Sequence, residues 1–69
     1  MILLTGNAGF IGKYLTQTLL EGGMRIRGID IRPRRDIVNG LIQIDGNILD
    51  RDIVCQSMID IDTIIHLAA

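Results

Sequence analysis

Apolar positions follow two rhythms along this chain, unbroken runs that suit buried strands and every-fourth-residue spacing that suits helix faces. Met1–Thr5 runs apolar up to Gly6, which predicts a strand buried on both sides. From Gly9 or Phe10 to Glu21 the residues Ile11, Leu15 and Leu19 recur every four positions, with Phe10 and Leu20 widening the stripe. That spacing predicts one face of a helix, which Gly22-Gly23 ends because glycine takes the left-handed conformation of many helix ends. Arg25–Ile31 predicts a second strand, with Ile26 and Ile29 as its apolar members and Asp30 near its end. Pro33 and Arg34-Arg35-Asp36 make a polar connector that Asn39-Gly40 closes as a turn. Leu41–Asp45 predicts a third strand. Asp50 then caps a helix, Asp52 complements its dipole, and Val54, Met58 and Ile61 supply its apolar stripe. Thr63–Ala68 predicts a fourth strand.

Strands alternating with helices predict an α/β fold with a parallel sheet and right-handed crossovers. About four strands with a helix on each face are expected, in one unit spanning 1–69 with no second domain. The first and fourth strands should be neighbours, leaving the fourth as an open edge. The 69 residues are 48% hydrophobic but only 3% aromatic, mostly Ile and Leu as in buried parallel strands. So short a chain is expected to leave apolar surface uncovered and to self-associate, as a homo-oligomer through the sheet edge or an uncovered face.

A formal charge of −1 gives no broad basic field, so nucleic acid is not an expected partner. Cys55, the single cysteine, excludes an internal disulfide and reads as a small packing residue. No stretch resembles a secretory leader or a membrane span, so a soluble cytoplasmic protein is expected.

The chemistry concentrates in Thr5-Gly6-Asn7-Ala8-Gly9-Phe10-Ile11-Gly12, placed after a predicted strand and opening a predicted helix. Gly6 permits the tight turn, Gly9 lets backbone approach a diphosphate, and Gly12 lets the helix lie close to the sheet. Amides of the first helical turn then offer donors to a dianion. Gly12-Lys13 is not a P-loop: Asn7 stands where that motif needs glycine, and Tyr14 where it needs Ser or Thr. Asp30, 18 residues beyond Gly12, suits the ribose hydroxyls of an adenosine and repels a 2′-phosphate. NAD is therefore expected ahead of NADP, although Arg32, Arg34 and Arg35 crowd the next loop.

The glycine motif with Phe-Ile before its last glycine resembles the extended short-chain dehydrogenase/reductase family, which includes UDP-glucose 4-epimerase and dTDP-glucose 4,6-dehydratase types. Gly46-Asn47-Ile48-Leu49-Asp50 resembles the family's Gly-Asp-x-x-Asp segment, and Asp62–Ala69 its Asp-x-Val-x-His-Leu-Ala-Ala strand. The resemblance implies the N-terminal portion of a Rossmann-type, doubly wound dinucleotide-binding domain. It implies that Phe10 and Ile11 offer amides to the diphosphate beside Gly6, Gly9 and Gly12. Asp30 would hold the adenosine ribose with Ile31 and Arg32 near it, and Asn47 and Ile48 would flank the adenine. Leu67, Ala68 and Ala69 would pass under the diphosphate and nicotinamide ribose. Asn47 departs from the family's aspartate, which weakens that contact.

The same resemblance implies reversible hydride transfer on a nucleotide-sugar or another small carbonyl compound, driven by a Tyr-x-x-x-Lys pair. The one tyrosine, Tyr14, is followed four places on by Thr18 and reads as a helix packing residue. No catalytic residue and no metal ligand is therefore assigned, and the chain alone should be inactive. His66 reads as structural, with no carboxylate or serine partner placed beside it. Two other readings remain, a non-catalytic NAD-binding sensor or scaffold and a self-associating binding module.

Overall fold

Four side chains, Leu3, Leu4, Ile26 and Ile29, make up the buried apolar core among the described residues, and they come from only two strands. In the computed structural model, which describes residues 1–68, those strands occupy the centre of the sheet. The elements in chain order are β1 (Ile2–Thr5), α1 (Phe10–Glu21), β2 (Ile26–Asp30), β3 (Leu41–Asp45), α2 (Arg51–Ser57) and β4 (Thr63–His66). The sheet runs β3-β2-β1-β4 and every pairing is parallel. This is the Rossmann-like α/β fold with the first and fourth strands adjacent, as the sequence pattern requires.

Register decides the faces. Leu3 pairs with Arg27 and Ile64, and Thr5 with Ile29 and His66, so these residues share one side. Arg27 reaches from that side to the end of α2, where its Nη1 donates to the carbonyls of Ser57 at 2.8 Å and Ile59 at 2.6 Å. Leu4, Gly28 and Gln43 share the other side, where Asn7, leading into α1, packs against Gly28. The two helices therefore cover opposite faces.

Strand ends are shorter than the sequence suggests. Arg25 and Ile31 lie outside β2, and Leu67 and Ala68 leave β4 after His66. The α1 face also differs. Phe10 is 94% exposed and Ile11 66%, while Gly12 and Thr16 are buried and Leu15, Leu19 and Leu20 half-buried. The innermost line of the helix runs through Gly12 and Thr16, flanked by Leu15, Leu19 and Leu20, because Gly12 must abut the turn before it. Thr16 resolves its burial locally by donating its hydroxyl to the Gly12 carbonyl at 2.6 Å. Tyr14, predicted to pack, is 76% exposed. Along α2 the inward residues are Ile53, Val54 and Ser57, with Met58 exposed at the C-cap.

The helix ends follow the sequence closely. Gly23 adopts φ +85°, and the amides of Gly23 and Met24 donate to the carbonyls of Leu20 and Leu19, closing α1 as a Schellman motif. The Asp50 side chain accepts from the amides of Asp52 and Ile53 and starts α2.

Candidate functional site

The cleft at the carboxyl ends of the strands begins with the turn out of β1. Gly6 takes φ +73°, and a Cβ there would lie 2.8 Å from the Ala68 nitrogen, so both conformation and space demand glycine. Its amide donates to the Ile29 carbonyl at 2.8 Å and anchors the turn to β2. Gly12 meets a different constraint from the one its spacing suggests. A Cβ on it would collide with the Gly6 carbonyl oxygen and the Asn7 backbone, so it seats the helix on the turn itself rather than on the sheet. Gly9 differs again. It is the N-cap with φ −71° and ψ 176°, and a Cβ there would meet only the Gly6 oxygen at 3.6 Å. Neither the backbone nor any described neighbour requires glycine at position 9.

No side chain among the described residues caps this end of α1, and no acidic residue occupies its first turn. The amides of Phe10, Ile11 and Gly12 thus begin a helix with no side-chain acceptor among the described residues.

Asp30 faces the turn from the end of β2. Its Oδ2 accepts from the Ala8 amide at 2.9 Å and its Oδ1 from the Arg32 amide at 2.9 Å. Both oxygens are fixed in place, and each keeps a further lone pair for a ligand hydroxyl. The connector arginines separate in role. Arg32 borders the cleft, whereas Arg34 makes a bidentate pair with Asp36, through Nε at 3.1 Å and Nη2 at 2.8 Å. That guanidinium, donating to both oxygens, holds Asp36 below the usual carboxylate value.

The far wall is the loop after β3. A Cβ on Gly46 would approach the Ile53 side chain to 2.8 Å, so glycine lets α2 close in. Asn47 turns the loop, its Oδ1 accepting from the Leu49 amide at 2.9 Å. One lone pair of the oxygen expected to face an adenine is therefore already engaged.

The floor is pinned by Thr5. Its buried hydroxyl accepts from the amides of Leu67 at 3.2 Å and Ala68 at 3.3 Å, and lies 2.6 Å from His66 Nδ1. The hydroxyl and the imidazole nitrogen share one hydrogen bond, which ties the end of β4 to β1. His66 thus has a hydroxyl partner that its sequence context did not reveal, supplied by the residue in register with it on β1.

Together these parts enclose an open cleft of about 520 Å³. Of the residues singled out in the sequence, Gly6, Gly9, Asp30, Ile31, Arg32, Asn47, Ile48, Leu67 and Ala68 line it. Gly12 lies buried behind the turn, and the Phe10 and Ile11 side chains point to solvent, leaving only their amides for a ligand. Ala69 lies outside the described residues. Ile29, Gly46 and Leu49 also line the cleft and went unpredicted.

Known proteins were compared against this geometry. The NAD dependent epimerase/dehydratase family matches residues 2–69. The chain belongs to that family. It is similar to the 3 beta-hydroxysteroid dehydrogenase/Delta 5-->4-isomerase of Mycobacterium tuberculosis, 38% identical over 69 residues, 99% of this chain and 19% of that one. MoeE5, solved in complex with UDP-glucuronic acid and NAD, superposes with a TM-score of 0.86 at 37% identity, covering 99% of this chain and 22% of that one. The Bordetella bronchiseptica enzyme WbmG, in complex with NAD and UDP, gives a TM-score of 0.87 at 31% identity, over 99% of this chain and 24% of that one. The chain spans about a fifth of the length of the curated relatives it matches. The glycine turn, the loop after β3 and the end of β4 meet at one cleft.

Among the described residues no helix is long and apolar enough to cross a membrane, and no cluster of three metal-ligating side chains occurs.

Proposed function

We propose that this chain is the NAD-binding portion of an epimerase/dehydratase-family enzyme acting on a nucleotide-sugar by reversible hydride transfer. The observation that carries the reading is Gly9, a glycine that none of the described residues requires, placed at an uncapped helix N-terminus and bordering the cleft. A side chain is missing there because something outside the chain needs the space. A diphosphate fits that requirement, with the amides of Phe10, Ile11 and Gly12 as donors. Asp30 then holds the ribose hydroxyls, with Ile31 and Arg32 beside it. Asn47 and Ile48 flank the adenine, while Leu67, Ala68 and Ala69 leave room for the nicotinamide side. When bound, the nicotinamide supplies the hydride acceptor and donor. The chain's own contribution is to bind and orient it, since its 69 residues hold no Tyr-x-x-x-Lys pair.

The nucleotide-sugar class draws support from the UDP-glucuronic acid and UDP complexes of its solved relatives. A steroid-like carbonyl substrate is the second reading, favoured by the hydroxysteroid dehydrogenase relative.

Calorimetric titration with NAD and NADP tests the cofactor assignment. NAD should bind about tenfold more tightly, ~1.4 kcal/mol, because the Asp30 carboxylate repels a 2′-phosphate. Asp30→Asn should erase that preference. Equal binding of the two cofactors by the unaltered chain would overturn the reading.

A further inference from the structure

Asn7 sits inside the glycine turn, yet it is fully buried, 0% exposed, and faces away from the cleft it helps to build. Its Nδ2 donates to Gln43 Oε1 at 2.6 Å, and its Oδ1 accepts from Gln43 Nε2 at 3.0 Å. The two side-chain amides form a closed reciprocal pair that crosses from the turn after β1 to β3. Between them runs β2, where Gly28 stands in register with Gln43 on one side and Leu4 on the other. A Cβ on Gly28 would overlap the Asn7 side-chain amide, so glycine in the middle of a strand makes room for the pair.

The pair joins directly two walls of the cleft that strand pairing connects only through β2. Asn7 lies between Gly6 and Ala8, and the Ala8 amide is the donor that holds Asp30. Gln43 lies three residues before Gly46 on the wall that carries Asn47 and Ile48. We propose that the Asn7–Gln43 pair, admitted by Gly28, is a positioning element that fixes the span between the diphosphate and adenine ends of the cleft. The inference rests on the dinucleotide reading of that cleft. A ligand touching both walls gains from a span set before it arrives, because less ordering remains to be done on binding. A ligand touching one wall gains nothing.

The test uses Gln43→Ala, together with Gln43→Glu, which keeps the size and the acceptor for Asn7 Nδ2 but cannot donate to Oδ1. Hydrogen exchange without ligand should be faster at the Gly6 and Ala8 amides, which donate to the Ile29 carbonyl and to Asp30, in both variants, with the Leu4 amide of β1 unchanged. In titrations Gln43→Ala should weaken NAD about tenfold, the scale of one lost buried hydrogen bond, while adenosine stays within about twofold. Gln43→Glu should fall between it and the unaltered chain, and it carries the test if the alanine variant does not fold. Unchanged exchange in the turn, or equal weakening of NAD and adenosine, overturns the proposal. Absence of NAD binding by the unaltered chain would defeat the dinucleotide reading, and the exchange measurement would then decide the pair on its own.

Discussion

Gly9 and Gly12 stand three positions apart in one turn and answer to different neighbours. An alanine at position 9 meets only the Gly6 oxygen at ordinary contact distance, in a conformation open to any residue. An alanine at position 12 overlaps the Gly6 carbonyl and the Asn7 backbone, and backbone cannot step aside as a flexible side chain can. Gly9→Ala should therefore cost at most ~1 kcal/mol of stability yet abolish measurable NAD binding. Gly12→Ala should cost about 3 kcal/mol or more and unfold the chain. Thermal melts and calorimetry on the two variants separate the effects, and an unfolded Gly9→Ala would contradict the assignment. The glycines were legible in sequence because their spacing reports a turn whose parts are close along the chain. Asn7, Gly28 and Gln43 were not legible. Their relation exists only across three strands, and an asparagine in a turn or a glutamine in a strand has no spacing of its own to report it. The same holds for Thr5 and His66, which are 61 residues apart and become partners only through the β1–β4 register.

Among the elements, helix termini were easier to read than helix faces. Gly22-Gly23 and Asp50 act through bonds to residues within one turn, so local sequence specifies them completely. The face of α1 is set instead by a nonlocal demand, the seating of Gly12 on the turn. The expected stripe therefore fails in its first turn, at Phe10 and Ile11, while Leu15, Leu19 and Leu20 do face inward. Similarly, Ser57 is buried against β1 and β4 while Met58 is exposed, because Ser57 returns its hydroxyl to the Ile53 carbonyl at 2.6 Å and needs no outside partner. The short α2 has only seven residues, too few to persist without its cap and its packing. Asp50→Ala removes the acceptor for two amides and should cost ~1 kcal/mol. In a domain of this size that corresponds to a fall of about 6 °C in the thermal midpoint, followed by circular dichroism. An unchanged midpoint would show that α2 is held by Arg27 and the loop after β3 rather than by its own start.

For the molecule as a whole, a core of four buried apolar side chains among the described residues leaves much of the holding to the surface. The Met1 ammonium and Asp62 meet at 2.8 Å and tie the start of β1 to the entry of β4. The hydrogen bond from that ammonium, more than its charge alone, lowers the Asp62 pKa below its ordinary 3.8. A depressed carboxylate contributes stability above its unfolded value and loses it as pH falls through the folded one. Asp62→Asn should thus flatten the acid limb of the stability curve below the usual carboxylate range, and added salt should do so in part. Ile64 and Met58 are both about half exposed beside β4, which presents an edge that no described strand covers. We propose that copies of the 69-residue chain pair through that edge and the sheet face beside it, since unpaired backbone and exposed apolar surface there point the same way. Ile64→Lys places a charge beside the edge without touching the nucleotide cleft, so it should shift the chain toward monomer in sedimentation at micromolar concentration and leave NAD titration unchanged. A monomeric unaltered chain under those conditions would show that four strands with a helix on each face suffice to keep this surface in water.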